Sequence, residues 1–314
     1  MTNTSTNGED APVWFSDGSV IVRKGGTSFK VHRSLIESLS HNFFDSDGIV
    51  KMSAEDSKDI SVYAVTSNNI DVKHLKSIFT HLYHRIHLSA DAPFDHVLRL
   101  YISTAPDYAN MPSVHELAAK YLNEILNINP LNVDFTDIKE IQAALNCSRA
   151  FEHPELQTSL EKALYYAYMI SDNVIYPGQD LPPPTPVDGP LLYRLSLTDA
   201  HITTHLMTSI TDFFSPTIFQ PACGSHMACT DIFAKHWVAL AADPVLEDGG
   251  LCDTFRTLNR LSTIAWVDEK VLSVCDECLK NVREEWEEEA IVIWGKIGEW
   301  IEEAKSSSKE LPSS

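Results

Sequence analysis

Positive charge is scarce in this sequence. Its 314 residues hold 24 Lys and Arg against 44 Asp and Glu, a formal charge of −20. A surface of that sign repels phosphate backbones and anionic lipid, so neither free nucleic acid nor a membrane surface is an expected partner. Cysteine is also sparse: six residues do not make a disulfide scaffold. Long apolar runs are missing, and none approaches the roughly 20 residues a membrane span needs. Residues 1–10 are polar, with no positive segment and no apolar stretch, so no secretory signal is expected. The thiols are therefore expected to stay reduced or to bind metal, in the cytoplasm or the nucleus. No Gly-x-Ser-x-Gly, P-loop or dinucleotide fingerprint is present.

What is present reads as an α+β N-terminal third followed by helices. Residues 1–11 form a Thr-, Asn- and Ser-rich tail. The stretch "SVIVRKGGTSFKV" has strand composition on both sides of Gly-Gly, and glycine accepts positive φ at no steric cost. A hairpin over 19–31 follows from this. Two short helical turns are expected at 32–38 and 42–45, with Ser40 as an N-cap between them. Residues 47–60 read as a loop and 60–66 as a third strand. Helical periodicity marks 72–83, 94–103 and 114–126, the last with a stripe of Val114, Leu117, Ala118, Tyr121, Leu122 and Ile125. Beyond Asn129-Pro130, helices are expected at 138–146 and 155–170. Residues 176–190 carry six prolines and read as an extended connector. Helices at 198–214, 230–242, 252–266 and 274–305 follow. The domain reading is thus a tail at 1–11, a mixed domain at 12–128, a helical extension at 129–175, a linker at 176–190 and an all-α domain at 191–314.

The order hairpin, two short helices, strand and three helices, together with "FSDGSVIVRKGGTSFKVHRSLIESLSHNFF", resembles the BTB/POZ domain. The carrying residues are Asp17 before the first strand, His32-Arg33 at the first helix, Leu35-Ile36, Ser40, and Phe43-Phe44. The whole chain is similar to the fungal, basidiomycete-type BTB proteins, whose helical C-terminal half carries scattered cysteines and a Cys-x-x-Cys leading into an acidic, Trp-containing final helix. "CDECLKNVREEWEEEAIVIWGKIGEW" has that character. Segment 45–69 lacks the strand-plus-acidic pattern of the family. The resemblance implies a non-catalytic protein-binding module that forms a homodimer and acts as scaffold or regulator. The alternative it implies is a substrate adaptor that holds a cullin-type ubiquitin ligase and recruits a protein target. It would place Val13, Trp14 and Phe15 near a partner; the bland alternative is packing within the chain.

His32 has no nucleophile beside it in the sequence. It is read as a buttress that bonds the backbone or Asp17 and locks the hairpin to the helix. Leu35, Ile36, Leu39, Phe43 and Phe44 are read as core. Two groups tempt a metal assignment. Cys275-x-x-Cys278 has the spacing of a zinc half-site, and Cys223 and Cys229, with His226 between them, supply a second pair. One structural zinc on four cysteines is the resulting hypothesis, against ordinary thiols or no cofactor. Cys147 and Cys252 read as buried apolar thiols. His81, His84 and His87 lie along one expected helix side, but no carboxylate completes them. "HITTH" at 201–205 has Ile202 where a zinc protease needs Glu, and is discarded. In the final helix Trp286, Ala290, Ile293, Ile297 and Trp300 form one seam, expected to pack on the helical domain rather than in a partner's groove.

Overall fold

The computed structural model describes residues 13–40, 42–46, 48–52, 60–68, 70–128, 130–173, 222–237, 239, 254–264 and 274–309. The tail at 1–11, the linker at 176–190, the helix expected at 198–214 and Cys252 lie outside them. Within them the chain is mixed α and β, with one four-stranded sheet and nine α-helices. It divides into two compact units, 1–125 with 139–160, and 126–138 with 161–314.

The first unit is built on the expected hairpin. Strands β1 (Val20–Lys24) and β2 (Thr27–Val31) pair antiparallel around Gly25, whose φ is +54°. That conformation costs a residue with a Cβ and explains the glycine. Two further strands follow, β3 (Ile49–Met52) and β4 (Ser61–Val65). Strand β4 pairs parallel with β1 and antiparallel with β3, giving the order β2-β1-β4-β3. The loop expected at 47–60 therefore contains a strand, and the expected third strand is the fourth. Four residues at a sheet edge, one of them Lys51, give too short a run for alternation to register.

One sheet face is dry. Val20, Val22, Phe29, Val31, Tyr63 and Val65 are all buried, and Phe29 meets Phe79 at 5.1 Å between ring centroids. Phe79 belongs to α2 (Val72–Leu82), which buries Leu75, Ile78, Phe79 and Leu82 at helical spacing. Asp71 starts it with a capping box: the His74 N–H donates to Asp71 Oδ1 at 3.0 Å, and the Asp71 N–H donates to His74 Nδ1 at 3.3 Å. Helix α3 (Phe94–Thr104) buries Val97, Leu98, Tyr101 and Ile102. Helix α4 (Pro112–Ile128) opens on a proline, which lacks only an N–H the first turn leaves unused. Its stripe is buried at Val114, Ala118, Leu122 and Ile125, but Leu117 is exposed. Helix α5 (Ile138–Ala150) and the start of α6 (Pro154–Asn173) complete this unit.

The short α1 (Arg33–Leu39) corrects two expectations. Leu35 is 37% exposed rather than core, because seven residues present only one inward face, and Ile36 occupies it. Ser40 is buried but is not an N-cap. It closes α1, its N–H donating to the Ile36 carbonyl at 2.9 Å, and Asn42 precedes the 3-10 turn Phe43–Asp45.

In the second unit, α7 (His226–Trp237), α8 (Thr254–Ser262) and α9 (Asp276–Lys309) pack through aromatic rings. Phe135 and Phe255 each meet Tyr166, Trp294 and one another at 4.8–5.8 Å between ring centroids. Two buried polar groups are paired: the Phe255 N–H donates to the Tyr166 hydroxyl at 3.1 Å, and Trp294 Nε1 donates to Asn127 Oδ1 at 3.2 Å. The α9 seam is covered inside the unit at Trp286, Ala290, Ile293 and Ile297, each 0% exposed. Trp300 is only half-buried, whereas Trp294, one position off the expected seam, is buried.

Candidate metal centre

Two helix starts bring the four expected cysteines together. Cys223 precedes α7, Cys229 lies in its first turns, Cys275 immediately precedes α9, and Cys278 lies in the first turn of α9. All four sulfurs lie within 4.8 Å of one another. Cys223 Sγ is 3.7 Å from Cys229 Sγ and 3.6 Å from Cys275 Sγ. Thiolates about 2.3 Å from a central zinc sit about 3.8 Å apart at the corners of a tetrahedron. The observed separations match that figure, and all four thiols are free of disulfides. His226 is not part of the group.

The electrostatics divide the four. Burial pushes the Cys278 thiol well up and raises that of Cys229. Cys275 is half-buried and held below the ordinary thiol value, chiefly because the Cys278 N–H at the helix start donates to its sulfur, with burial opposing. The Ser225 N–H donates to Cys223 Sγ at 3.4 Å. Backbone donors to sulfur orient thiolates in the way that outer partners orient metal ligands. Buried thiols resist ionisation on their own; a divalent cation at the centre would supply the missing counter-charge.

Among the described residues one other group gathers three ligand atoms, Asp71, His74 and Glu140. Sequence reasoning did not find it. The Asp71-x-x-His74 cap spacing was legible, but Glu140 comes from α5. The group is held largely by its own charges and by the helix cap. His74 Nδ1 faces Asp71 Oδ1 at 2.8 Å, its Nε2 faces Glu140 Oε2 at 3.6 Å, and Arg99 donates to Glu140 at 3.4 Å and to Asp95 at 3.0 Å. This is an ion-pair network joining α2, α3 and α5. The three histidines of "HLYHRIH" do not form a ligand group. Helix α2 ends at Leu82, His84 turns to φ +52°, and its ring stacks on His87 at 6.1 Å. The 201–205 histidines lie outside the described residues. Cys147 is a buried thiol whose pKa burial raises to about 11.

The opening residues form a structural knot. His32 Nε2 lies 3.3 Å from Asp17 Oδ2, and its Nδ1 and backbone N–H both meet the Tyr83 hydroxyl at 2.8 Å. Phe15 stacks on Tyr83 at 4.0 Å, so hairpin, α1 and the end of α2 are tied through one imidazole. Arg33 donates to Glu37 at 2.7 Å and to the Tyr63 hydroxyl at 2.8 Å, and its guanidinium lies 4.9 Å from the Phe44 ring centre. Phe44 is buried against Tyr63 at 4.5 Å. Residues 13–15 lie along β2, with the Lys30 N–H donating to the Val13 carbonyl and the Phe15 N–H to the Lys30 carbonyl. Val13 is buried and Phe15 half-buried, while Trp14 stays 51% exposed.

No described helix is long and apolar enough to cross a membrane. Neither a family model, nor a curated protein, nor a solved structure matches the chain.

Proposed function

We propose that this chain is a non-catalytic protein-association module of the BTB kind. Its mixed N-terminal unit mediates self-association, and it serves as scaffold or regulator in the cytoplasm or nucleus. The observation that carries the reading is the knot at His32. The imidazole in the stretch that resembles a BTB domain is spent on Asp17 and Tyr83, linking three elements, with none of its ring nitrogens left for substrate. Leu35, turned outward on α1, supplies an apolar contact for a second copy. Light scattering after size exclusion tests this: a dimer is expected, reduced to monomer by Leu35→Glu. A wild-type monomer that captures a cullin in a pull-down would replace the scaffold reading with the ligase-adaptor one.

The four sulfurs in turn hold one structural zinc that fastens the start of α7 to the start of α9. The reading rests on their tetrahedral spacing. Metal content of untagged protein, with the Cys275→Ser/Cys278→Ser variant as control, tests it.

A further inference from the structure

Residues paired across a β-ladder share a face, and successive residues alternate between faces. The register therefore fixes two rows on one side of the sheet: Trp14, Lys30, Ile21, Val62, Met52; and Ser28, Arg23, Ala64, Val50. The opposite side carries the buried Phe29, Val22, Tyr63, Val31 and Val20. A sheet packed on one face ordinarily turns polar residues toward water on the other. Here six of the nine outward residues are apolar. Trp14 is 51% exposed, Val50 51% and Met52 43%. Ile21 is half-buried and Val62 only 7% exposed between them, so the open apolar residues stand at the two edges of this face, Trp14 beside β2 and Val50 and Met52 on β3. Open apolar residues on one face mark an interaction surface.

Charge identifies the occupant. The four strands carry Arg23, Lys24, Lys30 and Lys51 and no acidic residue, in a chain where acids outnumber bases 44 to 24. Arg23 and Lys30 lie on the apolar face itself, the Lys30 ammonium also donating to the Ser16 carbonyl. Two copies meeting face to face would oppose cation to cation, so this face disfavours a second copy. We propose that it binds an extended acidic peptide segment of another protein, apolar side chains on the Trp14–Met52 row and carboxylates at Arg23 and Lys30. Strands about 4.8 Å apart make that row about 19 Å long, the span of about six extended residues. The proposal rests on the reading of the N-terminal unit as an association module and adds a surface distinct from Leu35.

The probe is a fluorescein-labelled peptide of alternating Glu and Val, titrated against the full chain by anisotropy. A Lys-for-Glu version, phosphatidylserine vesicles and oligouridylate are run in parallel. Saturable binding of the Glu peptide is expected. It should weaken with salt and fall about tenfold or more in Arg23→Glu/Lys30→Glu and in Val50→Ser/Met52→Ser. Light scattering on the same variants should give the wild-type mass, which separates failure of this surface from failure of self-association. A photo-crosslinking residue in the peptide, used on wild-type protein, should mark residues 14, 50 or 52 and needs no variant to fold. Absence of saturable binding at about 1 mM peptide, equal binding of the Lys peptide, crosslinks elsewhere, or preference for vesicles or RNA would overturn the proposal.

Discussion

Replacing Cys275 and Cys278 by serine removes half of the sulfur cluster and leaves two neutral hydroxyls in its place. The expected cost follows from where the cluster sits. Cys229 and Cys275 are 46 residues apart. Closing a loop of that length in the unfolded chain restrains it by about 4 kcal/mol in the chain-entropy treatment of cross-links. For a unit of 150–250 residues each kcal/mol moves the melting midpoint by roughly 2–4 °C. The metal-loaded second unit should therefore melt about 8–16 °C above its metal-free form. Free zinc raises the difference further by mass action. Elemental analysis of untagged protein purified without added metal should return about one zinc per chain. Scanning calorimetry should show the wild type falling to the level of the double variant when a chelator is added, and the variant indifferent to it. A zinc content below about a tenth of an equivalent, or a chelator effect equal in wild type and variant, refutes the reasoning.

Two other outcomes are expected. Phe44→Ala should destabilise the first unit by about 3–5 kcal/mol, since the ring fills a buried site between Tyr63 and Arg33; a urea-melt difference under about 1 kcal/mol would show that the neighbours collapse into the space. His96 is buried on α3 with Nε2 lacking a hydrogen-bond partner among the described residues, and burial, then His81 and Arg99, lower its pKa to about 4. Above the unfolded value of about 6.5 it costs nothing; as pH falls the unfolded chain takes up the proton first, so stability drops by about 1 kcal/mol from pH 7 to 5.5 and about 3 kcal/mol by pH 4. His96→Leu should flatten that slope relative to wild type in melts at pH 7 and 5.5, and parallel slopes would refute the assignment.

The hairpin was legible because Gly25-Gly26 and flanking β-branched residues act locally, and the helices because their periods run over three or more turns. The cysteine pairing was legible from Cys-x-x-Cys spacing and the scarcity of other thiols. Long-range partners left no local mark. Strand β3 is defined by its pairing with β4, not by its own four residues. Tyr83 as the partner of His32 lies 51 residues away. Leu35 and Leu117 have the right residue type for a core and the wrong angle on their helices, a distinction set by what packs alongside. Trp294, rather than Trp300, enters the core because Phe135, from the stretch before α5, and Phe255, from α8, form its pocket.

The uncovered sheet side also gives the chain's acidity a colloidal role. At neutral pH the −20 charge keeps copies apart at distances where dispersion forces are weak. Near the isoelectric point, about pH 4.9, that barrier vanishes while Trp14, Val50 and Met52 stay oily. Solubility should therefore fall on mild acidification, read as turbidity near that pH.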